Sequence, residues 1–259
     1  MSSIELVNDN GIGVLRIVRP EVRNAIDDAT RIDLIAALEE VGRDNAFRAL
    51  VLTGTGKAFC AGGDIRGMQQ RLAAPVGEVA INGWRRQQRT HHFISALHDL
   101  PKPTIAAVNG AAAGLGCDLA LACDFVIAAR GAMMAMTYVH RGLIPDGGGM
   151  YFLPRRVGLA KAKELIFTGR RVEPEEALRI GMIDRMSEPE TLLADAVAWA
   201  RELSAGSPAA LALAKATLNA TFETAADEVF QKGSQSQAIC YTTTEHRASV
   251  EAFLAKSKK

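Results

Sequence analysis

Lys57-Ala58-Phe59-Cys60-Ala61-Gly62-Gly63-Asp64-Ile65 follows an apolar, strand-like run, Ala49-Leu50-Val51-Leu52-Thr53-Gly54, and precedes a segment of helical character. Small residues at 61–63 keep side chains away from the backbone, so peptide N–H groups are free to point at a ligand oxygen. A second turn of this kind is Asn109-Gly110-Ala111-Ala112-Ala113-Gly114-Leu115-Gly116-Cys117-Asp118. It too follows a strand-like run, 104–108, and opens a helix expected over 117–124. One Gly-rich strand-to-helix turn is common to many α/β proteins. Two of them offer bare amides from two directions, as a two-donor oxyanion hole requires.

Outward from these turns, 4–7 and 13–18 read as paired strands around Asn8-Asp9-Asn10-Gly11. Residues 27–41 have helical spacing, with Ile32, Ile35, Leu38 and Val41 on overlapping apolar rows. Pro75 and Gly77 interrupt a polar, Arg-rich stretch, and a long helix is predicted from near Glu78 to before Pro101. Short strands are expected at 125–129 and 132–136. From Ala160 the chain turns helical, at 160–167, 174–180, 189–203, 208–220 and 223–254, with Pro174, Pro189 and Pro208 near helix starts. Strands separated by helices at this spacing indicate α/β architecture with crossover connections.

The chain has 259 residues, 48% hydrophobic and 23% charged, with a net charge of +1. That balance is ordinary for a globular protein and supplies no basic field for nucleic acid. The N-terminus lacks a signal pattern and no apolar run suits a membrane span, so a cytoplasmic, soluble protein is expected. Cys60, Cys117, Cys123 and Cys240 are dispersed without a C-x-x-C pair, and read as reduced, mostly buried side chains. No metal site is expected. Gly54-Thr55-Gly56-Lys57 fails the phosphate-loop pattern, and neither G-x-G-x-x-G nor G-x-S-x-G occurs.

The two turns, with Arg19-Pro20-Glu21-Val22-Arg23-Asn24-Ala25, Gly142-Leu143-Ile144-Pro145-Asp146-Gly147-Gly148-Gly149 and Glu251-Ala252-Phe253-Leu254-Ala255-Lys256, closely resemble the crotonase superfamily, the enoyl-CoA hydratase/isomerase family. The likeness runs from about residue 5 to 256. It implies a spiral of β-β-α units over 1–200, and a C-terminal helical region, 201–259, that packs between subunits of a homotrimer or homohexamer. It implies an acyl-CoA substrate and no cofactor beyond the coenzyme A of the thioester.

By the same resemblance, the thioester oxygen sits between the backbone amides of Gly63 and Leu115. Pantetheine and adenine lie along Ala25, Ala58, Ala61, Asp64 and Ile65, with Gly110 and Gly114 of the second turn also at the substrate. Arg23, Lys57 and Lys256 are candidates for phosphate contacts, although a solvated surface charge explains each equally well.

Hydratases of the family use two Glu residues. Here Asp118 stands at the first position, one methylene shorter, and Tyr138 at the second, a poor base near neutrality. Asp146 follows Pro145 where hydratases usually carry Gly. That position resembles the catalytic acid of enoyl-CoA isomerases and of ring-isomerising phenylacetate-pathway members; it also matches the nucleophile of aryl-CoA dehalogenases, for which no aromatic pocket signature is present. Isomerisation with Asp146 as base is therefore the expectation, and hydration through Asp118 the alternative. The competing structural reading makes Asp146 a cap for a helix beginning near Gly148 and Asp118 a helix-side polar residue. Tyr138 and His140 are expected to line the acyl pocket. A non-catalytic acyl-CoA- or RNA-binding relative is a third reading, resting on Arg85, Arg86 and Arg89.

Overall fold

A computed structural model describes residues 3–256, apart from the side chains of Gln70 and Arg71. In chain order the elements are β1 (Ile4–Asp9), β2 (Ile12–Ile17), α1 (Asp28–Arg43), β3 (Ala49–Gly54), β4 (Ala58–Cys60), α2 (Ile65–Leu72), α3 (Val76–His98), β5 (Thr104–Val108), β6 (Ala111–Ala113) and α4 (Leu115–Ala122). They continue as β7 (Phe125–Ala129), β8 (Met133–Ala135), α5 (Gly149–Val157), α6 (Leu159–Thr168), α7 (Pro174–Arg179), β9 (Arg185–Ser187), α8 (Leu192–Leu203), α9 (Pro208–Asn219), α10 (Ala226–Cys240) and α11 (Thr244–Lys256).

The apolar runs of β3 and β5 are buried along their whole length, as expected of strands covered on both faces. They lie inside a six-stranded sheet of order β1-β2-β3-β5-β7-β9, in which only the β1–β2 hairpin is antiparallel. Each of β3, β5 and β7 is followed at once by a short strand of a second, parallel sheet, β4-β6-β8. Strand, short strand, helix thus repeats three times: the α/β spiral of β-β-α units is present.

The short sheet decides where the two Gly-rich turns lie. β4 pairs with β6 through Ala58↔Ala111 and Cys60↔Ala112, which holds the exits of the two strands side by side. Gly116 makes the close approach possible: a Cβ there would fall 2.0 Å from the Cys60 carbonyl oxygen.

Helix α4 starts at Leu115, two residues before its predicted start, so Leu115 is its first residue. All eight of its residues are buried. Helix α3 packs Thr90, Phe93, Ile94 and Leu97 inward along one face. The helix expected over 223–254 is two, α10 and α11. Thr242 and Thr243 hydroxyls donate back to the Ile239 and Cys240 carbonyls, and Thr243 Oγ1 then accepts from His246 N. Local hydroxyl bonds of this kind end one helix and cap the next.

The expected boundary at residue 201 falls within α8, which packs on the large sheet and buries Leu192, Ala196, Val197, Trp199 and Ala200. Helix α9 is tied to the core by the Lys215–Asp124 ion pair at 2.8 Å. Among the described residues, α10 and α11 bury none within this chain, nor does α9, and α10 and α11 expose Phe230, Ile239, Phe253 and Leu254.

Candidate active site

The first turn is shaped by Gly62, whose φ of +99° is open to glycine at little cost. A Cβ at Gly62 would meet the Ala113 carbonyl oxygen at 2.7 Å and the Leu115 nitrogen at 3.4 Å, so the two turns touch backbone to backbone. Gly63 bridges Ile26 through bonds that leave its own amide aside: Ile26 N donates to Gly62 O at 2.8 Å and Asp64 N to Ile26 O at 3.0 Å. Leu115 heads α4, where helix geometry leaves the N–H without an intrahelical acceptor. Both amides border one cleft of about 680 Å³.

Of the residues expected at the substrate, Arg23, Ala25, Ala61, Gly63, Asp64, Ile65, Gly114, Leu115 and Tyr138 line this cleft, and His140 joins them. Ala58 and Gly110 do not. The Ala58 side chain is buried, and its carbonyl accepts from the Asn24 and Asn109 amides at 2.7 and 3.3 Å. Gly110 lies so close to Lys57 that a Cβ would fall 2.3 Å from the Lys57 carbonyl oxygen. These two residues build the cleft rather than face it. Lys57 and Lys256, the latter at the end of α11, are exposed and do not line this cleft.

At the inner end of the cleft the Tyr138 hydroxyl donates to Asp118 Oδ2 at 2.6 Å. Asp118 is 0% exposed, and its Oδ1 has no hydrogen-bond partner. Burial pushes the Asp118 carboxyl up to about 7; the Tyr138 hydroxyl pulls it back and the nearby Asp146 charge pushes it further up. Burial and the neighbouring Asp118 also push the Tyr138 phenol well above its ordinary value, so it remains a donor. Glycines make room for this pair: a Cβ on Gly147 would fall 2.5 Å from Asp118 Oδ2, and one on Gly149 2.5 Å from Oδ1.

Asp146 is half-buried. Burial raises its carboxyl above the usual range, opposed by its own backbone amide and by the nearby His91 and Arg86. It does not cap the following helix: α5 has Gly148 at its N-cap and no side-chain cap hydrogen bond. The His91 ring lies against it, with Nε2 3.1 Å from the Asp146 carbonyl oxygen. Asp118, Tyr138 and Asp146 therefore form one electrostatically linked group beside the two amides.

Several residues that organise the cleft were not expected. Asn24, buried and at φ +58°, ties the 19–25 loop to the first turn by donating to Thr55 O and Ala58 O. Arg19 Nη2 holds Asp64 at 3.3 Å and Asp27 at 2.8 Å. Asn24 and Arg19 stand in the quoted 19–25 segment, which was the available signal. Arg86, taken with Arg85 and Arg89 as a basic helix face, is instead turned inward, its side chain 13% exposed. A Cβ on Gly63 would meet its Nη2 at 3.2 Å. Among the described residues, no group of three His, Cys, Asp or Glu is gathered to hold a metal ion, and no helix is long and apolar enough to cross a membrane.

Residues 8–259 match the sequence profile of the family described as Enoyl-CoA hydratase/isomerase. The chain is 37% identical to the 1,2-epoxyphenylacetyl-CoA isomerase of Escherichia coli over 96% of its own length and 94% of that protein. It is 35% identical to the crotonyl-CoA hydratase of Syntrophomonas wolfei over 99% of its length and 96% of that protein. Among solved structures, an enoyl-CoA hydratase/isomerase from Cupriavidus metallidurans superposes with a TM-score of 0.91 at 37% identity, covering 99% of this chain and 94% of the other. The relatives thus carry both isomerase and hydratase names.

Proposed function

The chain belongs to the enoyl-CoA hydratase/isomerase family, and from that premise we propose that it is an enoyl-CoA isomerase with Asp146 as its base. One observation carries this reading. The Tyr138 hydroxyl engages Asp118, whose burial favours the neutral acid; of the two carboxyls Asp146 is the more open to solvent, and among the described residues its carboxyl accepts no side-chain hydrogen bond.

In this mechanism the thioester oxygen of a β,γ-enoyl-CoA accepts from the Gly63 and Leu115 amides. The Asp146 carboxylate takes a C2 proton. The C2–H electron pair moves into a dienolate, its charge held on the oxygen between the two amides, where each donor is worth roughly 3 kcal/mol in the transition state. The proton returns from Asp146 to C4, and the double bond now lies between C2 and C3. Asp146 regains its charge and no co-reactant is consumed. A base whose pKa is raised by burial suits this two-way transfer, since it must both take the proton and give it back. Arg23, Lys57 and Lys256 are proposed for the coenzyme A phosphates, Lys256 from a neighbouring subunit of a homotrimer or homohexamer. The exposed apolar residues of α10 and α11 support such an assembly.

A hydratase reading is favoured by one feature, the partnerless Oδ1 of Asp118. A water bound there would satisfy a buried acceptor and stand ready for addition to a 2-enoyl thioester. The two readings are separated with 3-hexenoyl-CoA and crotonyl-CoA. Growth of conjugated-enoyl absorbance from the first, with the second unchanged, supports isomerisation. Loss of absorbance from crotonyl-CoA overturns it in favour of hydration.

A further inference from the structure

Asp146 sits among glycines, the residues least able to hold a backbone still. Gly142 precedes it and Gly147, Gly148 and Gly149 follow, with Gly142 and Gly148 at φ +65° and +105°. Its own amide donates only as far as the Ile144 carbonyl, at 2.8 Å, which ties the segment to itself. No side chain caps the helix that follows. A base in such a stretch needs support from a rigid element, and α3 supplies it. Thr90, Phe93, Ile94 and Leu97 anchor α3 in the core. Ile94 meets the glycine segment, since a Cβ on Gly148 would fall 3.5 Å from its Cγ2. His91 lies three residues earlier and so shares a face with Ile94. It reaches Asp146 itself, with Nε2 3.1 Å from the carbonyl oxygen.

A carbonyl oxygen only accepts, so Nε2 carries the hydrogen and donates it. The bond engages the main chain of Asp146 and leaves the carboxyl free. That distinction suits a proton moved from C2 to C4 by one carboxylate. Its oxygens must turn between two carbons while the backbone that carries them stays put. The surrounding charges agree with this arrangement. From α3, His91 and Arg86 draw the Asp146 carboxyl back toward its ordinary range against the effect of burial. From the other side, Asp118 and Tyr138 face the same carboxyl, and its charge pushes both of them up.

We propose that His91 is a positioning residue for Asp146, its ring holding the Asp146 carbonyl so that the carboxylate is presented to C2 and C4 from one fixed backbone. This rests on the reading of Asp146 as the base. The test compares His91→Ala with His91→Gln, whose amide nitrogen stands as many bonds from the backbone as Nε2 does. His91 is exposed, so both variants should fold with an unchanged melting temperature. With 3-hexenoyl-CoA, His91→Ala should lose about tenfold in kcat while KM stays within about twofold, because small misplacements of a reacting group are costly. His91→Gln should recover most of that loss. Unchanged kcat in a folded His91→Ala overturns the proposal. So does a loss confined to KM, which assigns the ring to substrate binding. Equal loss in both variants also overturns it, and gives the ring a chemical role of its own. A second readout needs no turnover. The Gly147 amide order parameter should stand near the rigid value of about 0.85 in the unmodified protein and in His91→Gln, and fall in His91→Ala. Equal order in all three overturns the proposal. Should the unmodified protein and Asp146→Ala turn over 3-hexenoyl-CoA alike, the base reading is what fails, and the order parameters alone decide whether His91 holds the segment.

Discussion

The Tyr138 hydroxyl donates to Asp118 Oδ2 at 2.6 Å, between two residues that the family resemblance sets at the positions of a hydratase Glu pair. The arrangement is a carboxyl gripped by a phenol. Removing the grip should leave a buried carboxyl with neither oxygen bonded to a side chain. Tyr138→Phe is expected to lower stability by about 1–3 kcal/mol, read as a drop in denaturation midpoint. Because the hydroxyl favours the charged form of Asp118, the same variant should titrate Asp118 at a higher pH, visible in the carboxyl carbon resonance.

Asp146→Ala should abolish double-bond migration by about 10²–10⁴-fold while leaving the melting temperature almost unchanged, since Asp146 caps no helix. Near-normal turnover of 3-hexenoyl-CoA by this variant would remove Asp146 from the mechanism.

Asp118 makes stability depend on pH in a direction that can be stated. Its folded value, about 7, stands above that of an unfolded aspartate, roughly 3.9. Between those values the folded protein binds more protons than the unfolded chain, so this group's contribution to stability falls as pH rises from about 4 to 7. Above that it is a constant penalty. Asp118→Asn should flatten this part of the profile and gain stability relative to the unmodified protein at pH 8 compared with pH 5. Urea midpoints at both values check it, and parallel profiles would show that Asp118 ionises freely.

Gly62→Ala would force a side chain into left-handed backbone 2.7 Å from the Ala113 carbonyl oxygen. The two turns must part, carrying the Gly63 amide away from Leu115. Turnover should fall by about 10²–10³-fold, the scale of one lost oxyanion donor, with a smaller change in substrate affinity. Loss confined to KM would argue that the amides serve binding alone.

Much of this was legible in the chain. The apolar runs of β3 and β5, each followed by a Gly-rich turn and a helix, carried the spiral, and the letters at 118, 138 and 146 marked a departure from a Glu pair. They did not carry the bond from the Tyr138 hydroxyl to Asp118, which depends on how the chain folds the two together. The three-residue strands β4, β6 and β8 were mostly not legible, because so short a run has no periodicity and exists only through pairing. The break between α10 and α11 depends on threonine hydroxyls bonding backward, a choice that helix propensity does not reveal. Arg86 was misread for a related reason. A charge on a helix looks solvated by default, and its inward turn is set by the packing of α3 against α1 and the first turn.

The division of labour between the two sheets has a consequence for how such a protein changes over generations. The turns bearing Gly63 and Leu115 are riveted by β4-β6 pairing and by the Gly116–Cys60 contact. A neighbouring, arginine-lined wall comes largely from α2, α3 and the start of α1, outside that rivet. Substitutions in 65–89 can therefore reshape that wall while the two amides keep their spacing, so that one side of the cleft can vary over generations as the other stays put.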